Sequence, residues 1–326
     1  MNPFRGKHIL ITGGLGFIGS NLARRLVSAD AHVTLVDSLI PEYGGTLYNI
    51  HDIQDRVTVN IADVRDEHSM KFLVQGQDYL FNLAGQTSHM DSMQQPITDL
   101  EINAKAQLYI LEACRWSNPG VKIVFASTRQ IYGKPDYLPV DEQHPLRPVD
   151  INGVNKLAGE WYHLLYHSVY GLQTSILRLT NTLGPGMRIK DARQTFVGIW
   201  LRLLIEGKPF EVWGGEQLRD FNDVEDVVDA CLTVAEREEA NGRVFNLGGM
   251  EVVSLNELAE MLVAAYGGGE FVTQTFPDER KRIDIGDFYA DCGLIRKTLG
   301  WEPRIPLQTT LKRTIEYYRN HIGNYT

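Results

Sequence analysis

The stretch HILITGGLGFIGSNL, residues 8–22, decides the reading of this chain. His8 to Thr12 is a short apolar run of the buried-strand type, and Phe17 to Ser28 carries the apolar spacing of a helix. Between them stand Gly13, Gly16 and Gly19. Glycines there permit a tight strand-to-helix turn and let a pyrophosphate approach the backbone. The first amides of the helix, aided by its dipole, then face the phosphates. A glycine triplet alone marks only a turn; its place between strand and helix gives it weight.

Working outward, Ala31 to Asp37 (AHVTLVD) reads as a second strand, and Asp37 ends it eighteen residues after Gly19. A carboxylate at that place accepts both hydroxyls of an adenosine ribose and repels a 2′-phosphate, which favours NAD over NADP. Asp63-Val64 follows a third strand, Val57 to Ile61, where an adenine edge would lie; alone, the pair also reads as a loop turn with a core valine. Tyr79 to Leu83, Val121 to Ser127 and Gln173 to Thr180 read as further strands, and Ile97 to Trp116 and Gly153 to Tyr170 as amphipathic helices. Strands alternating with helices predict right-handed βαβ units and an α/β fold, a Rossmann-type doubly wound parallel sheet.

After Thr180 the pattern loosens at the breaker cluster Leu183-Gly184-Pro185-Gly186. Helices over Thr195 to Glu206, Val224 to Glu236, Ser254 to Tyr266 and Leu311 to Asn320, with strands at 210–213 and Val244 to Leu247, predict a smaller C-terminal α/β substrate lobe. The expected division is 1–180 and 181–326, with chain crossing between the lobes left open.

The 326 residues are 43% apolar and 22% charged, a globular balance that excludes a disordered chain. Lys plus Arg number 32 and Asp plus Glu 41, a net charge of −9, which argues against nonspecific binding to nucleic acid or anionic membrane. Apolar runs stay below membrane-span length. Cys114, Cys231 and Cys292 are far apart, so neither a metal site nor a disulfide framework is expected and a reducing compartment fits. The strand that starts at His8 leaves no room for a signal peptide, and a cytoplasmic protein is expected.

Taken together these residues resemble the extended short-chain dehydrogenase/reductase family, and within it the NAD-dependent nucleotide-sugar epimerases and dehydratases, of the UDP-glucose 4-epimerase type. The likeness rests on Gly13, Gly16 and Gly19; on Leu83-Ala84-Gly85-Gln86 after the fourth strand; and on Ser127-Thr128 with Ile131-Tyr132-Gly133 after the fifth. It continues through Lys156 to Glu160 (KLAGE), Asn181 to Gly186 (NTLGPG), Gly215 to Phe221 (GEQLRDF), Ala290-Asp291 and Leu299-Gly300-Trp301. The resemblance implies NAD held by Gly13, Gly16, Phe17, Ile18 and Gly19 at the phosphates, and by Asp37, Ser38, Asp63 and Val64 at the adenosine. It places Leu83, Ala84, Gln86, Asn103, Ala126 and Lys156 along the rest of the cofactor. It implies a nucleoside-diphosphate sugar bound by Ser88, Thr128, Asn181, Arg219 and Arg282, and a homodimer through the helices Ile97–Trp116 and Gly153–Tyr170. The chemistry implied is transient oxidation of a sugar hydroxyl.

In that family a tyrosine four residues before the lysine takes the hydroxyl proton. Here Lys156 is present, but Asn152 holds the tyrosine position. A carboxamide positions a partner or a water and does not act as a general base near neutral pH. Three readings compete: an active enzyme with another base, slow or partial chemistry, or a protein that binds NAD and a nucleotide sugar without turnover. His89 is a candidate base, because histidine titrates in the working range; a loop or substrate-contact role is its plainer reading. Asp150, Tyr132, or a water held by Asn152 and Lys156 are further candidates. The 4,6-dehydratases of the family carry an acidic pair after the threonine, whereas Arg129-Gln130 stand here, which argues against that elimination. Epimerisation at C4 is the simplest fit. Decarboxylation of a uronic acid sugar, with Arg129 on the carboxylate, and a reductase remain as alternatives.

Overall fold

The computed structural model describes residues 2–277 and 283–326. β1 (His8–Thr12) leads through the glycine turn into α1 (Phe17–Ser28), then β2 (His32–Asp37), β3 (Val57–Ile61), α2 (Glu67–Leu73) and β4 (Tyr79–Asn82). α3 (His89–Gln94), α4 (Pro96–Leu100), α5 (Ala106–Ser117), β5 (Lys122–Thr128), α6 (Ile151–Tyr170) and β6 (Gln173–Leu179) follow. α2 and α3 are too short for apolar periodicity to mark them; the side chains of Asp66 and Ser88 cap their first turns. The helix expected over Ile97 to Trp116 is present and runs without a gap from α4 into α5, with one wider π-type turn over Glu101–Lys105 between them. Such turns redirect side chains within a helix. Here Asn103 points inward and its amide donates to the Gln86 carbonyl and to Asp99.

The rest of the chain forms β7 (Asn181–Leu183), α7 (Phe196–Ile205), β8 (Phe210–Trp213), β9 (Leu218–Asp223), α8 (Val224–Glu236) and β10 (Arg243–Leu247). β11 (Val252–Ser254), α9 (Leu255–Tyr266), β12 (Phe271–Gln274), α10 (Gly293–Leu299) and α11 (Leu307–His321) complete it. Seven parallel strands make the main sheet in the order β10-β6-β5-β4-β1-β2-β3. β10 comes from beyond residue 180, so the chain crosses back into the large sheet. Two small sheets, β11-β9-β7 and β12-β8, belong to the smaller lobe, where α7, α9 and α11 share one apolar core.

Successive β1 residues point to opposite faces, and both faces are covered. Ile9 and Ile11 pack with Leu22 and Leu26 of α1 and Val227 and Val234 of α8. Leu10 packs with Met70 of α2 and Ile110 and Leu111 of α5. Each such fully buried leucine or isoleucine stabilises the fold by about 1.5–3 kcal/mol. For function the consequence is positional. Strand order diverges between β1 and β4, which opens a crevice at their carboxyl ends. Thr12 stitches those ends together: its hydroxyl donates to Asn82 Oδ1 (2.9 Å) and accepts from the amides of Leu83 and Ala84 (3.1 Å each).

Candidate active site

The crevice is a cleft of about 240 Å³ that runs from the glycine turn to Thr128, Lys156 and Asn181. The turn accepts no side chain: a Cβ on Gly13 would lie 3.0 Å from the Ala84 backbone, and one on Gly19 would lie 2.3 Å from the Gly13 carbonyl. Gly16, Phe17 and Ile18 complete this end. Asp37 accepts from the amides of Leu15 (3.1 Å) and Leu39 (2.9 Å). Burial pushes its carboxyl above the ordinary range, and the two amides pull it part of the way back. Ser38, Asp63 and Val64 line the wall beyond it. Asp63 is held below the usual carboxylate range by the Arg65 guanidinium, 2.7 Å away. A cradle that a single added carbon would block, with a carboxylate at the end of β2, fits an adenine dinucleotide.

Leu83, Ala84, Gln86 and Ala126 line the middle of the cleft, and His89, Thr128, Asn152, Lys156 and Asn181 its far end. The start of α6 supplies two of these. Asp150 caps that helix by accepting from the Gly153 amide (2.7 Å), which sets Asn152 and Lys156 in register over the sheet. Lys156 donates to the Ala126 carbonyl (3.1 Å); burial pushes its ammonium down to about 8, against the pull of Asp99 and Glu160. Asn152 does not reach into the cleft as a free donor. Its amide points at the Gln86 carbonyl (2.8 Å) and at Asp99 Oδ2 (3.2 Å). Asp99, 1% exposed, also accepts from Asn103 (3.0 Å) and Asn155 (2.7 Å). In this hub of one carboxylate and three carboxamides, Asn103 and Asn152 were expected at the site, whereas Asp99 and Asn155 were not. A spacing signal existed, since Asp99 and Asn103 are four apart on one helical face, as Asn152 and Asn155 are three apart on another.

Several expected contact residues lie elsewhere. Ser88 is buried behind the cleft wall, its hydroxyl committed to the Asp91 amide as the cap of α3. Asn103 is fully buried, and its amide donates to the Gln86 carbonyl and to Asp99. Arg219 is absent from the cleft wall: it donates to the carbonyls of Leu218 and Gly286 and pairs with Asp284 at 3.4 Å, with its guanidinium lowered by burial. Arg282 lies outside the described residues. Besides Lys156, the wall carries the cationic Arg129, whose Nη2 donates to Asn181 Oδ1 (3.3 Å). Burial pushes Arg129 down to about 9, with the Arg219 charge adding to the effect. Among the described residues Arg129 Nη1 and Asn181 Nδ2 have no protein partner. Tyr132 is excluded from the cleft. Its hydroxyl donates to Asn246 (2.6 Å) and accepts from Arg178 (2.7 Å), and burial pushes it up to about 12. Among the described residues no group of His, Cys, Asp and Glu is arranged to hold a metal, and no helix is long and apolar enough to cross a membrane.

A doubly wound sheet with a glycine cradle at one end of its crevice and a buried lysine at the other defines a dinucleotide-dependent enzyme. The chain belongs to the NAD-dependent epimerase/dehydratase family, whose model matches residues 9–248. The putative UDP-glucose 4-epimerase of Methanocaldococcus jannaschii is 31% identical over 318 residues, 96% of this chain and 99% of that one. The dTDP-glucose 4,6-dehydratase of Streptomyces griseus is 29% identical over 323 residues, 96% and 94%. Among solved structures, the UDP-glucose 4-epimerase of Thermotoga maritima with UDP-glucose aligns at a TM-score of 0.88 and 30% identity, over 97% of this chain and 99% of that chain. NAD is the cofactor of this family, and its enzymes act on nucleotide sugars.

Proposed function

We propose that this chain is a nucleotide-sugar epimerase that inverts C4 through a transient keto sugar, without a tyrosine in its proton relay. The observation that carries this reading is one continuous cleft that joins the glycine cradle and Asp37 to Thr128, Lys156 and Asn181. The cradle and the start of α1 hold the pyrophosphate, Asp37 the adenosine ribose, and Lys156 the nicotinamide ribose. NAD, when bound, supplies reversible oxidation of a sugar carbinol. Thr128 holds the reacting hydroxyl. Asn181 and Arg129 meet the diphosphate, with Arg219 behind as a second positive charge; an anion there offsets the cost of enclosing Arg129. Epimerase relatives at about 30% identity support the reaction type. Against a 4,6-dehydratase stands Gln130, whose amide donates to Asp150 (2.8 Å) and which shuttles no proton.

Homodimer formation is part of the proposal. Val154, Trp161, Leu165 and Val169 of α6 and Trp116 of α5 are all exposed, and the α6 residues recur at helical spacing along one side. Arg129 favours one second reading, in which it holds the carboxylate of a uronic acid sugar that then loses carbon dioxide. The test is incubation of the NAD-loaded protein with UDP-, dTDP-, GDP- and CDP-sugars, followed by NMR and mass spectrometry. Interconversion of a C4 pair without net consumption of NAD is expected. Carbon dioxide release from a uronic acid sugar would support the second reading, and no conversion of any sugar would remove both.

A further inference from the structure

We infer that His89, held by the buried carboxylate of Asp150, is the general base that stands in for the missing tyrosine. The inference rests on the epimerase reading above. His89 opens α3 directly after the loop that follows β4, and it lines the cleft together with Thr128, Asn152 and Lys156. Its Nδ1 lies 3.0 Å from Asp150 Oδ2. The ring is turned so that this N–H is not aligned on the oxygen. Catalytic contacts of this kind tighten when substrate binds.

Asp150 is a fixed partner. Its side chain has no exposed surface, Oδ1 accepts from the Gly153 amide (2.7 Å), and Oδ2 accepts from Gln130 Nε2 (2.8 Å). Burial raises its carboxyl, but His89, Gly153 and Gln130 outweigh this and hold it below the usual carboxylate range. The carboxylate is therefore ionised at neutral pH, orients the ring and stabilises the imidazolium. Gln130 also links the pair to the sugar site, because its backbone amide donates to Thr128 Oγ1 (3.2 Å).

The other titratable groups facing the cleft are poorly suited. Asp37 and Asp63 lie at the adenosine end, and Arg129 is a cation. Lys156 is engaged with Ala126. The Tyr43 phenol is pushed up by burial, and Asp91, Glu42 and Asp99 nearby oppose its ionisation while Arg65 favours it. Asn152 is tied to Gln86 and Asp99.

In the oxidation, the sugar O–H bond breaks and its proton moves to His89 Nε2. Bound NAD would supply the oxidant, taking the C4 hydrogen with its electron pair as the C4–H bond breaks, so that the carbinol would become a ketone while the imidazolium of His89 is paired with Asp150. After the keto sugar turns over, hydrogen and electron pair return to the opposite face and His89 gives the proton back. His89 is thus a catalytic residue and Asp150 a positioning residue.

The experiment compares wild type with His89→Gln, His89→Gly and Asp150→Asn on the sugar found to be converted. His89→Gln should lower kcat about 10²–10⁴-fold. KM, and the affinities for NAD and UDP by calorimetry, should stay within a few-fold. Added imidazole should restore turnover to His89→Gly, which a purely structural histidine would not allow. Nitrogen NMR of His89 in the NAD complex should show the proton on Nδ1 in wild type and a shift of tautomer in Asp150→Asn. Near-wild-type kcat in His89→Gln, or loss without imidazole rescue in both His89 variants, would overturn the inference while wild-type conversion leaves the epimerase reading standing. Absence of wild-type conversion would remove the epimerase reading, and this assignment with it.

Discussion

Replacing His163 with leucine should make the protein more resistant to acid, by an amount that follows from where the ring sits. His163 lies on the inner side of α6, fully buried, and stacks on Phe125 of β5 with ring centroids 4.3 Å apart. Its Nδ1 donates to the Gly159 carbonyl (2.8 Å), while among the described residues Nε2 has no partner. Burial pushes its pKa from 6.5 down to about 4; the Lys156 charge adds to the fall and the Gly159 carbonyl opposes it. The folded chain therefore keeps this ring neutral where the unfolded chain takes up a proton. Its contribution to stability is whole above pH 6.5 and is lost as the pH falls from 6.5 to about 4. Linkage puts the loss at about 2 kcal/mol by pH 5 and about 3 kcal/mol by pH 4. Leucine removes the titration and the unpaired nitrogen, and the Gly159 carbonyl keeps its helical bond. At pH 8 the two proteins should agree within about 1 kcal/mol. Urea unfolding of both at pH 8, 6, 5 and 4.5, followed by tryptophan fluorescence, gives the difference directly. Parallel stability curves would refute the reasoning, because they would mean that the folded protein accommodates the imidazolium in this core.

Gly19→Ala should purify without bound NAD, measured by cofactor release and absorbance, and with an unchanged far-ultraviolet spectrum, since its Cβ would lie 2.3 Å from the Gly13 carbonyl. Arg129→Met should weaken UDP binding about 10–100-fold by calorimetry, the worth of a hydrogen bond to a charged group, and flatten its salt dependence. Trp161→Glu should convert a dimer into a monomer by light scattering, because that side chain is 59% exposed in the single chain and central in the apolar row of α6. A wild-type protein that is monomeric at micromolar concentration would refute the proposed interface.

Much of the fold was legible because its signals are local. The strand at His8–Thr12, the glycine turn and the helix at Phe17–Ser28 agree with the structure residue for residue. The helix over residues 97–116 was legible but its widened turn was not, because a π-type turn keeps helical composition and changes only the backbone count. At the site, motif spacing marked the residues of the glycine turn, Asp37, Thr128, Lys156 and Asn181, all of which line the cleft. Arg219, also marked by its motif, is turned toward Gly286 and Asp284 and does not line this cleft. Arg129 was considered only for a carboxylate, since nothing in its neighbours in the chain says how deeply it is enclosed.

Sequence alone determined the class of sheet, the dinucleotide turn and the absence of tyrosine at position 152, since each depends on residue type at short range. Tertiary structure decided which polar groups meet. It drew Asn152 and Asn155 of α6 onto Asp99, buried the Tyr132 hydroxyl between Arg178 and Asn246, and set His89 against Asp150. Those contacts join segments far apart in the chain. They exist because the packed sheet removes water from the groups and leaves each one dependent on whichever partner the fold brings within reach.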